Sequence, residues 1–378
     1  MGRFLKEFCE DMKGDPDVKI VIKYGVKATS FLKRHLNLLL YAVIGIVAVA
    51  SFYCVYLGYA EWRVGRTALD GKPGNLDQLA SLGSYLQGAT GSLWSLAGFF
   101  IIFVAFLIQA LQLTEQRKQN ERENFDSRFF EMVGIHRQNI SELSIGTEIT
   151  GRRVFVSLIR EFRDTIKIVS ETCAEVAPDY PLASRRDLAY LAFYYGVGPN
   201  STRILKDDTD HHPLVLVDAV VKKLESIQRS YRTYSKQIAD RSTPKIEIQM
   251  WIAERAKLTR VSYCPFDGHQ SRLGHYFRHL FEVVKYIDRQ APKGTAYEYG
   301  SIIRAQLTNH EQAILCLNGL ATIGAPWITR GYFDKYLLIR NIPQSFFEKS
   351  TELDLEKEFP KIHFEFMKSK DSEAEPNR

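Results

Sequence analysis

The chain has 378 residues, enough for two or three domains, and 45% of them are hydrophobic and 25% charged. This composition excludes a wholly disordered chain, and the net charge of +6 does not by itself call for a nucleic-acid partner. The five cysteines form no Cys-x-x-Cys pair, which argues against a disulfide framework or a cysteine zinc site. We therefore expect reduced thiols. No nucleotide-binding, zincin or hydrolase motif is present, so we expect no cofactor, and the spacing shows no complete set of metal ligands.

Residues 1–35 form a basic segment that carries eight Lys or Arg residues. An uncharged run over 36–59 follows, and as a helix it would extend roughly 36 Å, enough to cross a bilayer core. Tyrosines and Trp62 gather at its far end, as in an interfacial aromatic belt. The run starts too late and is too long for a cleaved signal peptide. It is the first predicted membrane span.

A second uncharged run covers residues 90–113 and follows a polar loop over 60–89. Basic residues concentrate before the first run and directly after the second, where Arg117, Lys118 and Arg122 lie. The positive-inside rule then places both termini in the cytoplasm and the short loop outside it. The sequence thus predicts a two-pass transmembrane hairpin over residues 36–113, in contact with a lipid bilayer.

Small residues recur along one side of the second span and its lead-in, at steps of four, three, four and three. This small-residue seam consists of Ser84, Gly88, Gly91, Ser95 and Gly98, and the same side continues to Gln109 and Gln112. Small residues let helices approach closely in lipid. Two interpretations stay open: packing on the first span, or self-association of several chains around a pore whose inner mouth the glutamines line.

Residues 114–345 predict a succession of amphipathic helices, because apolar residues recur every three or four positions. The first helix continues directly from the second span and has one face made of Phe125, Phe129, Met132, Val133, His136 and Ile140. Residues 271–290 and 297–320 are the clearest later helices, whereas 244–263 also allows a short strand. Residues 346–378 are expected to be a polar tail with a disordered end. The predicted fold class is mainly α: a transmembrane hairpin followed by an all-α cytoplasmic domain.

The helix predicted over 271–290 has the most unusual composition. Beside its apolar seam lies a second seam with Arg272, His275, His279 and Glu282. Two histidines one turn apart between Arg and Glu suit metal binding, acid–base chemistry or phosphate and nucleic-acid binding. A structural polar network between packed helices is the simpler interpretation of the same residues.

In the helix predicted over 297–320, Arg304, Thr308, Glu311 and Asn318 share a face, which favours a structural Arg–Glu arrangement. The pairs Arg272/His279 and Arg304/His310 also resemble, loosely, the Arg–His pattern of HEPN ribonucleases, which are all-helical. Catalytic candidates are therefore Arg272, His275, His279, Glu282, Arg304, His310 and Glu311.

Five segments in the same order and spacing resemble the AbiC-like family of phage abortive-infection proteins, over roughly residues 95–345. They are Asn124–Phe130, Gly151–Phe155, Tyr194–Val197, Gly268–Asp288 and Ser301–Asn318, of which Gly268–Asp288 is the most specific. The resemblance implies a bacterial inner-membrane protein with two spans, a helical cytoplasmic domain and a role in defence against bacteriophage. It carries over no catalytic residue.

The leading hypothesis is a membrane-anchored antiphage effector or sensor, in which the hairpin oligomerises and disrupts the membrane. Its expected partners are the bilayer, further copies of the chain and a phage-derived or infection-induced trigger. The alternatives are a membrane-tethered HEPN-like ribonuclease, which would bind nucleic acid, and a scaffold that recruits another defence component.

Overall fold

The computed structural model describes residues 76–146, 148–198, 201–240 and 244–367, together with isolated helical positions between 41 and 63. The chain divides into two compact units, residues 1–121 and 122–378. One helix, α1 (Leu76–Glu142, 67 residues), contributes to both units. The predicted continuity is therefore confirmed: residues 90–113 and the helix that follows them form one uninterrupted helix.

The described chain is mainly helical, as predicted. An antiparallel pair of two-residue strands, β1 (Ser144–Ile145) and β2 (Ile149–Thr150), connects α1 to the next helix. The helices that follow are α2 (Arg153–Val176), α3 (Leu182–Tyr195), α4 (Ser201–Asp208), α5 (Leu214–Ala239), α6 (Lys245–Leu258), α7 (Gln270–Gln290), α8 (Ala296–Gln306), α9 (Asn309–Leu320), a 3-10 turn (Thr322–Gly324), α10 (Pro326–Thr329), α11 (Tyr332–Tyr336) and α12 (Leu355–Glu358).

The first unit contains the apolar part of α1. Within the described residues, one helical segment, Gly98–Glu142, is long and apolar enough to cross a membrane, with a window of mean hydropathy 1.8 that is not buried. The first predicted span, 36–59, lies largely outside the described residues, and its described positions are helical. Helix α1 begins at Leu76, inside the predicted loop, so residues 76–89 are helical.

The second unit has a core that includes one face of α1. Phe125, Phe129, Val133, His136 and Ile140 are all buried, and their steps of four, four, three and four residues match the helical period. This confirms the predicted apolar face. Helix α7 buries its predicted apolar seam of Leu273, Phe277, Leu280, Val284 and Ile287 in the same core.

The single helix predicted over 297–320 is wrong, because α8 ends at Gln306 and α9 begins at Asn309. Thr308 caps α9 in a capping box: its hydroxyl accepts from the Glu311 backbone N–H, and the Glu311 carboxylate accepts from the Thr308 N–H. Arg304 and Glu311 therefore lie on different helices, and the predicted shared face does not exist.

Two other segments differ from the sequence prediction. Residues 245–258 form helix α6 rather than a strand. The packed domain continues beyond residue 345, because Phe347, Leu355, Phe359 and Ile362 are buried in its core. The tail that follows Met367 lies outside the described residues.

A close backbone crossing fixes the start of α7 against the end of α3. The Val197 N–H donates to the Phe266 carbonyl at 2.8 Å, and the His269 N–H donates to the Tyr194 carbonyl at 2.8 Å. A Cβ atom added at Gly268 would lie 2.2 Å from the Tyr195 carbonyl oxygen, and φ of Gly268 is +84°. Only glycine permits this approach with that backbone conformation.

Candidate functional site

The loop before α7 is held by a buried carboxylate whose contacts are complete. Glu161 of α2 is fully buried, and its Oε1 accepts from the Phe266 N–H at 2.7 Å. Its Oε2 accepts from the Tyr263 hydroxyl at 2.6 Å and lies 2.9 Å from Nε2 of His269. Burial alone would raise the pKa of Glu161, but the charge and hydrogen bond of His269 and the other donors lower it. This network positions α7.

About two turns further along the chain from His269, a second group of polar side chains has buried atoms without such partners. His136 of α1 is 1% exposed, and its ring lies 5.1 Å from that of Tyr276 and 5.9 Å from that of His279, between ring centroids. Both residues belong to α7. The carboxylate of Glu311, at the start of α9, acts on Tyr276 electrostatically. Together with Arg152, these residues form what we call the junction cluster.

The junction cluster contains five buried polar atoms that form no hydrogen bond with any residue that the structure describes. They are both ring nitrogens of His136, the Tyr276 hydroxyl, Nδ1 of His279 and Oε1 of Glu311. Each such atom costs roughly 1–3 kcal/mol relative to a partnered one. Buried polar groups are nearly always partnered in folded proteins, so this concentration makes the junction cluster a candidate functional site.

Arg152 closes the cluster on its solvent side. Its side chain is 51% exposed, its Nε lies 3.9 Å from Glu311 Oε2, and one terminal nitrogen donates to the Gln306 carbonyl at 3.0 Å. Glu311 Oε2 also accepts from the Thr308 N–H at 2.8 Å. The carboxylate therefore has one well-bonded oxygen and one without a partner.

The environment of the cluster favours neutral side chains. Burial, together with the charges of His279 and Arg152, lowers the pKa of His136 to about 4. Burial raises the pKa of Glu311 above its usual range, against the opposing effect of the Thr308 hydrogen bonds and Arg152. Burial, with the nearby Glu311 charge, also raises the pKa of Tyr276.

Of the residues predicted from the 271–290 seam, only His279 enters the junction cluster. Arg272 instead donates from Nε to the Ser144 carbonyl at 2.8 Å and ties α7 to the strand pair. His275 is exposed. Glu282 is exposed and pairs with Lys285 at 2.6 Å. Arg272 and His279 thus have different partners.

The second Arg–His pair is not assembled either. Arg304 donates to the Tyr336 carbonyl at 3.1 Å and lies over the Tyr297 ring at 6.0 Å. The His310 ring contacts Phe346, with ring centroids 5.1 Å apart. No contact among the described residues brings an Arg–His pair of the ribonuclease pattern into one site. Glu311 is the one member of that segment that reaches the cluster.

The sequence did not identify three members of the junction cluster. His136 was placed on the apolar face of its helix, and a lone histidine among Phe, Val and Ile residues was the available signal. Tyr276 and Arg152 gave none, because both come to the cluster only through the packing of α2 and α7 on α1. In the structure, the Tyr276 ring also lies 5.0 Å from that of Phe155.

The comparisons with known proteins give one match. Residues 268–347 match the model of the family described as "Putative phage abortive infection protein". No curated protein and no solved structure matches the chain significantly. The matched segment begins at Gly268 and includes α7 to α11, so it contains Tyr276, His279 and Glu311. The resemblance found in the sequence is thus confirmed over these residues: positions 268–347 of this chain are similar to the phage abortive-infection family.

Proposed function

We propose that the protein is a membrane-anchored abortive-infection protein that senses infection in its helical cytoplasmic domain and arrests the host at the membrane. In this proposal both predicted spans cross the inner membrane and both termini are cytoplasmic. The observation that carries the proposal is helix α1, which is apolar and unburied over its membrane-length part and buried over Phe125 to Ile140.

The junction cluster supplies the conformational switch. A buried polar atom without a partner raises the free energy of the observed packing. A different packing that supplies a partner is favoured by the same amount. The abortive-infection segment contributes three members of the cluster, and α1 contributes His136. A trigger that acts on the segment therefore changes how α1 packs. Because α1 has no break before the membrane segment, the change passes along one helix.

The small-residue seam is the part that executes the arrest. A Cβ atom added at Gly91 or Gly98 meets no described atom within 4 Å, and the hydroxyl of Ser95 donates to the Gly91 carbonyl of its own helix at 2.9 Å. Small residues at these positions permit close contact with a neighbouring helix, which in this proposal belongs to another copy. Association of several copies would align Gln109 and Gln112, both exposed, around a polar path through the membrane.

A paired substitution in the membrane segment tests the proposal. Gly98→Leu blocks close approach along the seam, whereas Phe100→Leu changes an exposed residue on the opposite face of α1. We expect Gly98→Leu to abolish protection against phage and Phe100→Leu to preserve it, at equal protein levels in the membrane fraction. Protection by Gly98→Leu equal to that of the unmodified protein would rule out arrest through the seam.

The histidines provide the matching test of an enzymatic mechanism. His275 and His310 lie outside the junction cluster, so His275→Ala and His310→Ala should protect as the unmodified protein does. Loss of protection in either folded variant would favour the ribonuclease alternative over arrest at the membrane.

A further inference from the structure

A third group of polar side chains lies between α3, the loop before α5 and the 3-10 turn after α9. Asp187 of α3 faces the adjacent residues His211 and His212. Oδ2 of Asp187 lies 2.7 Å from Nε2 of His211 and 3.0 Å from Nε2 of His212. One ligand atom from each residue lies within 4.8 Å of the others.

We propose that Asp187, His211 and His212 bind a divalent transition-metal ion of the zinc class. Two imidazole nitrogens and one carboxylate oxygen form the donor set of many three-ligand sites, in which water or a substrate takes the remaining position. With metal–ligand bonds of about 2.0–2.1 Å, the ligand atoms of a tetrahedral site lie about 3.3 Å apart. The observed separations of 2.7 and 3.0 Å need to widen by only a few tenths of an ångström.

The surrounding residues orient these ligands. The Thr322 hydroxyl lies 2.8 and 2.7 Å from the two Asp187 carboxylate oxygens, and the Thr322 N–H donates to Oδ1 at 2.8 Å. The Tyr180 hydroxyl contacts Nδ1 of His212, which leaves Nε2 of that ring for the metal. Partners of this kind fix the ring orientation and tautomer of metal-binding histidines.

Charge and access also suit a metal ion. Asp187 supplies the carboxylate oxygen of the donor set, and its side chain is only 13% exposed. The His212 side chain is only 2% exposed, whereas that of His211 is 39% exposed and leaves an open side to solvent.

Metal binding at this site does not depend on how the protein affects the membrane. Thr322 lies inside the segment that matches the abortive-infection family, whereas Asp187 and both histidines precede it. A bound ion would therefore tie α3 and the α4–α5 loop to that segment. Since the ion binds only the folded arrangement, it should raise the thermal stability of the chain.

The test uses the full chain, purified in detergent without a histidine tag, incubated with zinc and dialysed. We expect stoichiometric zinc by mass spectrometry and a higher melting temperature than after treatment with a chelator. Cobalt(II) should give the visible absorption bands of a low-coordinate nitrogen–oxygen site. His211→Ala should lower the affinity for zinc by about tenfold or more, and His275→Ala, which removes an exposed histidine elsewhere, should leave it unchanged.

His211→Ala is the informative variant, because this side chain is half-exposed and its removal leaves the core intact; circular dichroism verifies the fold. Asp187→Asn keeps the size of the side chain and should also lose zinc. The proposal is overturned if the unmodified chain retains no zinc after dialysis. It is equally overturned if folded His211→Ala retains as much zinc as the unmodified chain.

Discussion

Two buried polar groups in this domain differ in how completely their hydrogen-bonding atoms have partners. The Glu161 carboxylate uses both oxygens, with donors from Phe266, Tyr263 and His269, and so stabilises the loop before α7. In the junction cluster, His136 has two buried nitrogens and no hydrogen-bond partner. Both groups lie in contact with α7. The Glu161 network stabilises one packing of the loop before α7, and the unpartnered atoms of the junction cluster are the basis of the switch that we propose.

The low pKa of His136 predicts a specific dependence of stability on pH. Because the pKa is about 4 in the folded chain and 6.5 in an ordinary histidine, the unfolded chain binds more protons between these values. The contribution of His136 is complete above pH 6.5 and is lost as pH falls towards 4. At about 1.4 kcal/mol per pKa unit, the loss reaches about 3 kcal/mol.

His136→Phe keeps the ring and removes both nitrogens. We expect this variant to be at least as stable as the unmodified chain at pH 7. Between pH 6.5 and 4 its free energy of unfolding should fall less than that of the unmodified chain, because the contribution of His136 is absent. Denaturant titrations of both proteins at several pH values, followed by tryptophan fluorescence, measure the difference. Parallel pH profiles for the two proteins would show that His136 is not buried in its neutral form.

At the residue scale, the sequence predicted part of the cluster. His279 and Glu311 stood out because polar residues recur beside apolar seams, but their partner His136 is more than a hundred positions away. The Thr308-x-x-Glu311 capping box was readable from the sequence and would have separated α8 from α9. The adjacent histidines His211 and His212 can likewise be recognised in the sequence. Their partner Asp187 cannot, because only tertiary packing brings it to them.

At the element scale, the crossing of α3 and α7 predicts that substitution of one glycine, Gly268, lowers the stability of the fold by an unusual amount. Gly268 and Gly294 have nearly the same φ, +84° and +86°, but only Gly268 has backbone atoms where a Cβ would lie. Gly294→Ala should therefore cost about 1 kcal/mol, the ordinary penalty of this backbone conformation. Gly268→Ala carries that penalty and a backbone clash at 2.2 Å.

Thermal melts of the two alanine variants separate these effects. Gly268→Ala should melt well below Gly294→Ala or fail to fold, because the neighbouring atoms are backbone and cannot rotate away. Equal melting temperatures would show that the α3–α7 crossing is not tight. The junction cluster would then have no rigid support at this end of α7.

The elements themselves were predictable where their period was long and regular. The apolar seams of α1 and α7 recur at three and four residues; the predicted bounds of α7 agree within one residue, whereas α1 begins 14 residues before the predicted span. The strand pair β1–β2 has only two residues per strand, too few to show a period. The predicted polar tail over 346–378 is wrong as far as residue 367, because Phe347 and Phe359 insert into the core. The apolar residues of this stretch are scattered and show no regular period.

At the scale of the whole molecule, the two compact units share one helix and no connecting loop. Helix α1 carries an unburied apolar segment in the first unit and a buried face in the second. Propagation along a helix needs an unbroken hydrogen-bond ladder, which a proline interrupts. The proposed arrest at the membrane therefore depends on an unbroken α1 near residue 120.

The most direct measurement follows membrane potential during phage infection in cells with the unmodified protein, Asn120→Pro or the matched control Asn120→Ala. Proline breaks the helical ladder at this exposed position, whereas alanine maintains it. At equal amounts in the membrane fraction, the unmodified protein and Asn120→Ala should collapse the potential, and Asn120→Pro should not. If growth stops in cells with the unmodified protein while the membrane potential is unchanged, arrest does not act through the membrane. If Asn120→Pro collapses the potential as completely as the unmodified protein does, the continuity of α1 is not required.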